Sequence, residues 1–143
     1  MIQFDDLTLL QKQALIKFPA YMSFLATNDS KLDEAEKMVA IKFAHTKAFS
    51  CHPILAEFYK ESESAFETNL RQIENLLPED KKTRDLIIRK ELLILEKILQ
   101  KLGHEYVTAM HHSMKTFKSH VSKAHHSVIE DFILPIPIPG LTD

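Results

Sequence analysis

The sequence predicts an all-α protein, a single helical bundle of five to seven helices closed by a C-terminal proline-rich extended strap. Three observations predict it. The two glycines, Gly103 and Gly140, are too few for the turns of a multi-stranded sheet, and neither stands in an Asn-Gly hairpin pair. Apolar residues recur at three- and four-residue steps over long stretches, the period of one helix face. Pro19, Pro53 and Pro78 fall between those stretches, where a first helical turn tolerates a residue without an N–H.

A first helix is expected over Asp6–Phe18, capped by Asp5 or Asp6, whose carboxylates accept the free N–H groups of the first turn. Leu7, Leu10, Ala14 and Phe18 would share its inner face. Pro19 ends it and opens a short apolar helix over Ala20–Thr27. Asn28-Asp29-Ser30 reads as a turn. A third helix follows over Asp33–Phe49, with Asp33 and Glu36 at capping-box spacing. Ser50-Cys51-His52 breaks the pattern, and Pro53 starts a long helix to Leu77 with a candidate break near Glu61–Ser64. Pro78 or Asp80 restarts the chain. The next helix carries Leu86, Ile87, Ile88, Leu92, Leu93, Ile94, Leu95, Ile98, Leu99 and Leu102, apolar over more than half its circumference, so it is expected at the centre of the bundle. Gly103 sits where a C-terminal cap belongs. The last helix, from His104 to Ile133, has the stripe Val107, Met110, Met114, Phe117, Val121, Ala124, Val128 and Phe132. Alternating prolines then forbid helix and favour an extended strap. The domain division is residues 1–134 for the bundle and 135–143 for a tail packed on it, burying Ile136, Ile138 and Leu141. The other reading of that tail is a polyproline ligand for another protein.

Charge excludes one class of partner. Residues 1–77 carry 8 basic and 11 acidic side chains, and residues 78–143 carry 10 and 9. Neither half has the basic excess that neutralising phosphates demands, so nucleic acid is not expected. The start, MIQFDDLTLL, lacks the pattern of a signal peptide, and no apolar run approaches the roughly 20 residues of a membrane helix. Membrane insertion is therefore not expected, and a cytoplasmic location is. Cys51 has no second cysteine to pair with and reads as an ordinary, partly buried thiol. No phosphate-binding glycine loop can be written with two glycines, and there is no Gly-x-Ser-x-Gly.

Six of the eight histidines lie between His104 and His126. None forms a His-x-x-x-His pair, and at about 100° per residue they spread around the helix. His126 and Glu130 are spaced to share one metal ion and form the alternative metal site. Adjacent acids such as Asp5/Asp6 and Glu130/Asp131 point in different directions and read as solvated charge.

One further segment, Asp29-Ser30-Lys31-Leu32-Asp33-Glu34-Ala35-Glu36, follows the apolar helix at Ala20–Thr27. Here the chain resembles the tellurite-resistance TerB-like family, small all-α domains that carry Asp-Gly-x-Ile-Asp-x-x-Glu in this setting. Asp29, Leu32, Asp33 and Glu36 match, whereas Ser30 stands where the family has glycine. The likeness covers about residues 15–50. It implies a compact helical bundle, a stress-related setting, and a site for Ca²⁺ or Mg²⁺ at Asp29, Asp33 and Glu36. Hard cations want several such oxygens close together. The competing account is local: Asp29 shapes a turn, while Asp33 and Glu36 cap the next helix. The functional expectation is a non-catalytic intracellular domain acting through contacts with another protein, through self-association or through divalent-cation binding. The rival is a metal-dependent enzyme or metal-storage bundle built on histidines and carboxylates.

Overall fold

A computed structural model of the chain describes residues 2–26 and 33–130, with the side chains of 48–49 and 123–130 set aside. Among the described residues the regular structure is entirely helical: α1 (Leu9–Leu15), α2 (Phe18–Leu25), α3 (Glu34–Ser50), α4 (Ala56–Leu76), α5 (Lys81–Leu99) and α6 (His104–Glu130). Short 3₁₀ turns at Phe4–Asp6, Pro53–Leu55 and Gln100–Leu102 precede α1, lead into α4 and end α5. The expected strap lies outside the described residues, as do Leu134, Ile136, Ile138 and Leu141.

The N-terminal helix begins later than expected. Asp6 closes the 3₁₀ turn by accepting from the Gln3 N–H at 2.9 Å, and the cap of α1 is Thr8. Thr8 Oγ1 accepts from the Gln11 N–H at 3.1 Å, while Gln11 Oε1 accepts from the Thr8 N–H at 3.0 Å. This is a reciprocal capping box. The chain therefore bends between Leu7 and Leu10, and the expected inner face does not form. Leu7 and Phe18 are buried from segments on either side of α1, whereas Leu10 is 78% exposed.

The other joints follow local chemistry. Asp33 caps α3 and Asp80 caps α5, each accepting from the N–H three residues on. Pro53 starts the 3₁₀ turn that runs into α4, and α4 continues unbroken through Glu61–Ser64. Ser62 does not interrupt the helix, because its hydroxyl donates across the bundle to the Ile16 carbonyl at 3.0 Å. Gly103, at φ 92°, takes the left-handed conformation that stops α5 and lets α6 begin on the next residue.

The core has two connected halves. One gathers Leu15, Leu55, Phe58, Tyr59, Leu95, Leu99 and Met110; the other gathers Phe24, Ala40, Ala44, Phe66, Leu70, Ile88, Phe117 and Val121. In the second half Phe117 meets Phe43 edge-on at 5.3 Å between ring centroids and Phe66 at 5.6 Å. The short α2 joins the halves and packs on α4, α5 and α6, while α3 packs on α4 and α6. A Ser122 hydroxyl from α6 donates to the Ala26 carbonyl at the end of α2, at 2.6 Å. The central helix is thus α2, not α5. Helix α5 buries Ile88, Leu95 and Leu99, but its wide apolar girdle is only partly covered. Leu86 and Leu93 remain 69% and 66% exposed, and Ile87 and Ile94 are exposed beside them.

Candidate functional site

The acidic segment was the first candidate. Asp29 lies outside the described residues. Asp33 and Glu36 are brought together as a reciprocal cap on α3. Asp33 Oδ1 accepts from the Glu36 N–H at 2.7 Å, and Glu36 Oε1 accepts from the Asp33 N–H at 2.9 Å. Glu36 is buried and Asp33 exposed. The structure therefore gives these two carboxylates a capping role. Lys37 follows on the same turn and pairs with Glu74 of α4 at 2.8 Å. That partner's hydrogen bond holds the Lys37 ammonium above its ordinary pKa, against the opposing effect of burial.

Among the described residues the histidines do not converge. His111 contacts the Glu96 carboxylate of α5, with Oε2 at 2.9 Å. His120 stacks on Phe43 of α3 at 4.0 Å. His45 of α3, outside the histidine-rich helix, meets Glu63 of α4 at 2.8 Å. His126 and Glu130 stand one turn apart on α6, and their side chains lie outside the description. Among the described residues no group of three or more His, Cys, Asp or Glu side chains is placed to hold a metal ion. Cys51 is half-buried, and that burial pushes its thiol pKa up, the opposite of activation. Tyr59 is buried against Ser113, and burial likewise pushes its phenol up.

Two concavities stand out among the described residues. The cleft between α3 and α4, about 750 Å³, is lined by Ile41, His45, Thr46, Glu63, Glu67 and Arg71 among others. His45 pairs with Glu63 across it, Arg71 pairs with Glu67 along α4 at 3.2 Å, and Lys42 also lines it. The groove between α2, α5 and α6, about 490 Å³, has a different character. Phe18, Met22, Leu92, Leu93 and Met114 make its walls apolar, and Arg89, Lys115 and the Glu96–His111 pair stand at its rim. Methionines fill irregular apolar surfaces adaptably. The groove opens onto the uncovered face of α5, so Leu93 belongs to both. Lys82, Arg89, Lys90 and Lys97 are exposed on that helix, whereas its acids Asp85, Glu91 and Glu96 are half-buried. Sequence reasoning named these aliphatic residues but assigned them to the core. It had no signal for the Glu96–His111 contact, whose partners are 15 residues apart on different helices.

No protein-family model, curated protein or solved structure matches the chain. Among the described residues no helix is long and apolar enough to cross a membrane.

Proposed function

We propose that this chain is a non-catalytic, TerB-like helical domain that works through protein contacts, with the α2–α5–α6 groove and the adjoining face of α5 as its docking site. One observation carries the reading: the exposed Leu93 of α5 lines an apolar groove, and three more large aliphatic side chains of the same helix, Leu86, Ile87 and Ile94, stay exposed. Scattered exposed leucines are ordinary, but apolar surface gathered around a concavity marks an interaction site. The absence of an activated thiol at Cys51 and the dispersal of the described histidines onto separate partners support binding over nucleophilic chemistry. The family resemblance adds an intracellular, stress-related setting. It also adds a second mode, Ca²⁺ or Mg²⁺ bound at Asp29, Asp33 and Glu36. The capping geometry brings the last two carboxylates within one turn of helix.

The test is methyl-resolved NMR of the full chain. The probes are three amphipathic peptides, each a helix of about 18 residues and roughly 27 Å. All share one leucine stripe and differ in whether the polar face is Glu, Gln or Lys. Saturable shifts at Met22, Leu92, Leu93 and Met114 and along the exposed face of α5, at Leu86, Ile87 and Ile94, are expected with at least one of them. Shifts with none, or spread over the α3–α4 cleft instead, would overturn the groove as the docking site.

A further inference from the structure

We infer that the partner of this groove is an acidic amphipathic helix lying along α5. The inference rests on the docking site proposed above and adds the shape and charge of its occupant.

Shape comes from the spacing of the uncovered residues. Leu86 and Leu93 are seven apart, and so are Ile87 and Ile94. A seven-residue repeat is what a second helix running beside the first can follow along its length. The 19 residues of α5 offer about 28 Å of such a seam. The groove beside it supplies pockets lined by Met22 and Met114 for the partner's apolar side chains, the helix-in-groove mode of recognition.

Charge comes from the same face. Exposed Lys82, Arg89, Lys90 and Lys97 alternate with the aliphatic residues. The half-buried Glu96, the acid that lines the groove, is in contact with His111. A partner bearing Glu or Asp beside its apolar stripe would meet these cations, and a basic one would be repelled. The same arrangement disfavours a second copy of this chain. In a twofold pairing that sets Leu86 of one copy against Leu93 of the other, the symmetry centre falls between Arg89 and Lys90, and cations face cations. A planar anionic membrane would satisfy the charge but could not fill the groove or follow the seven-residue seam.

The peptide series reads the inference directly, by fluorescence anisotropy at two salt concentrations. The Glu peptide is expected to bind at least about tenfold tighter than the Lys peptide, with the advantage shrinking as salt screens it. The double variant Arg89→Glu with Lys90→Glu, both at exposed positions, should reverse that preference while leaving thermal stability nearly unchanged. Groove shifts of equal affinity for all three peptides would sink the acidic partner and leave the docking site standing. No groove shifts with any peptide would sink both. Sedimentation with vesicles of phosphatidylserine and phosphatidylcholine, and analytical ultracentrifugation of the chain alone, complete the set. Vesicle binding without peptide binding, or a dimer broken by Leu86→Asp, would each overturn the inference in favour of a membrane or of a second copy.

Discussion

Leu93 and Leu95 lie two residues apart on α5 and provide an internal comparison. Leu95 is 2% exposed and Leu93 is 66% exposed. Truncating Leu95 to alanine removes a buried side chain and leaves a cavity, at a cost of about 2–5 kcal/mol. At Leu93 only about a third of the residue is covered, so roughly a third of the 1.5–3 kcal/mol for full burial is at stake, or about 0.5–1 kcal/mol. The higher helix propensity of alanine offsets a few tenths of that. For a domain of this size a kcal/mol shifts Tm by about 3 °C. Leu95→Ala should therefore lower Tm by roughly 6–15 °C, and Leu93→Ala by no more than about 2 °C. Differential scanning calorimetry at two protein concentrations measures both. If Leu93→Ala were as costly as Leu95→Ala, that face would be covered in the free protein, and the groove would not be open to a partner. A cost that appeared only at the higher concentration would identify a second copy as the cover.

Four further outcomes are expected. Asp33→Ala should cost about 1 kcal/mol in urea unfolding through loss of the α3 cap. If the acidic segment also takes Ca²⁺ or Mg²⁺, either ion should raise the Tm of the wild type but not of Asp33→Ala, and equal responses would remove the cation mode. Glu74→Gln should destabilise by about 0.5–1.5 kcal/mol at neutral pH, because Lys37 keeps its charge and loses the nearer of its two carboxylate partners while Glu34 at 3.4 Å remains. Lys37 is raised in the folded state, so this contribution is fully present below the ordinary lysine pKa. It fades as pH rises through the folded value, so unfolding curves of the two proteins should converge in strong alkali. Cys51, with its thiol pKa raised by burial, should react with a disulfide reagent at pH 8 more slowly than glutathione and reach full rate in denaturant. A fast native reaction would show that the thiol is activated after all.

What was legible in the sequence was local. Asp33 with Glu36, Asp80 and Gly103 mark helix ends through bonds or backbone angles within a few residues of themselves, and spacing alone reveals them. The first cap was misplaced because Asp5 and Asp6 are stronger acceptors in principle, whereas the chain bends at Leu7 and hands the role to Thr8. Periodicity reported how wide the apolar girdle of α5 is, but not how much of it the neighbouring helices cover. The candidate docking site lies in that difference, so it could not be read from the helix alone. Contacts such as His111 with Glu96 and His45 with Glu63 depend on how helices sit side by side, which no motif encodes.

The two serine hydroxyls that close the ends of α1 and α2 bear on the order in which the chain matures. Helices of seven and eight residues are too short to persist alone in water. Their terminal carbonyls at Ile16 and Ala26 wait for donors 46 and 96 residues further along. At about 5–20 residues per second of synthesis, Ser122 is made roughly 5–20 s after Ala26. Until those donors are made, the ends of α1 and α2 lack the hydrogen bonds that close them, so these two short helices are expected to be completed only after Ser62 and Ser122 have joined the bundle.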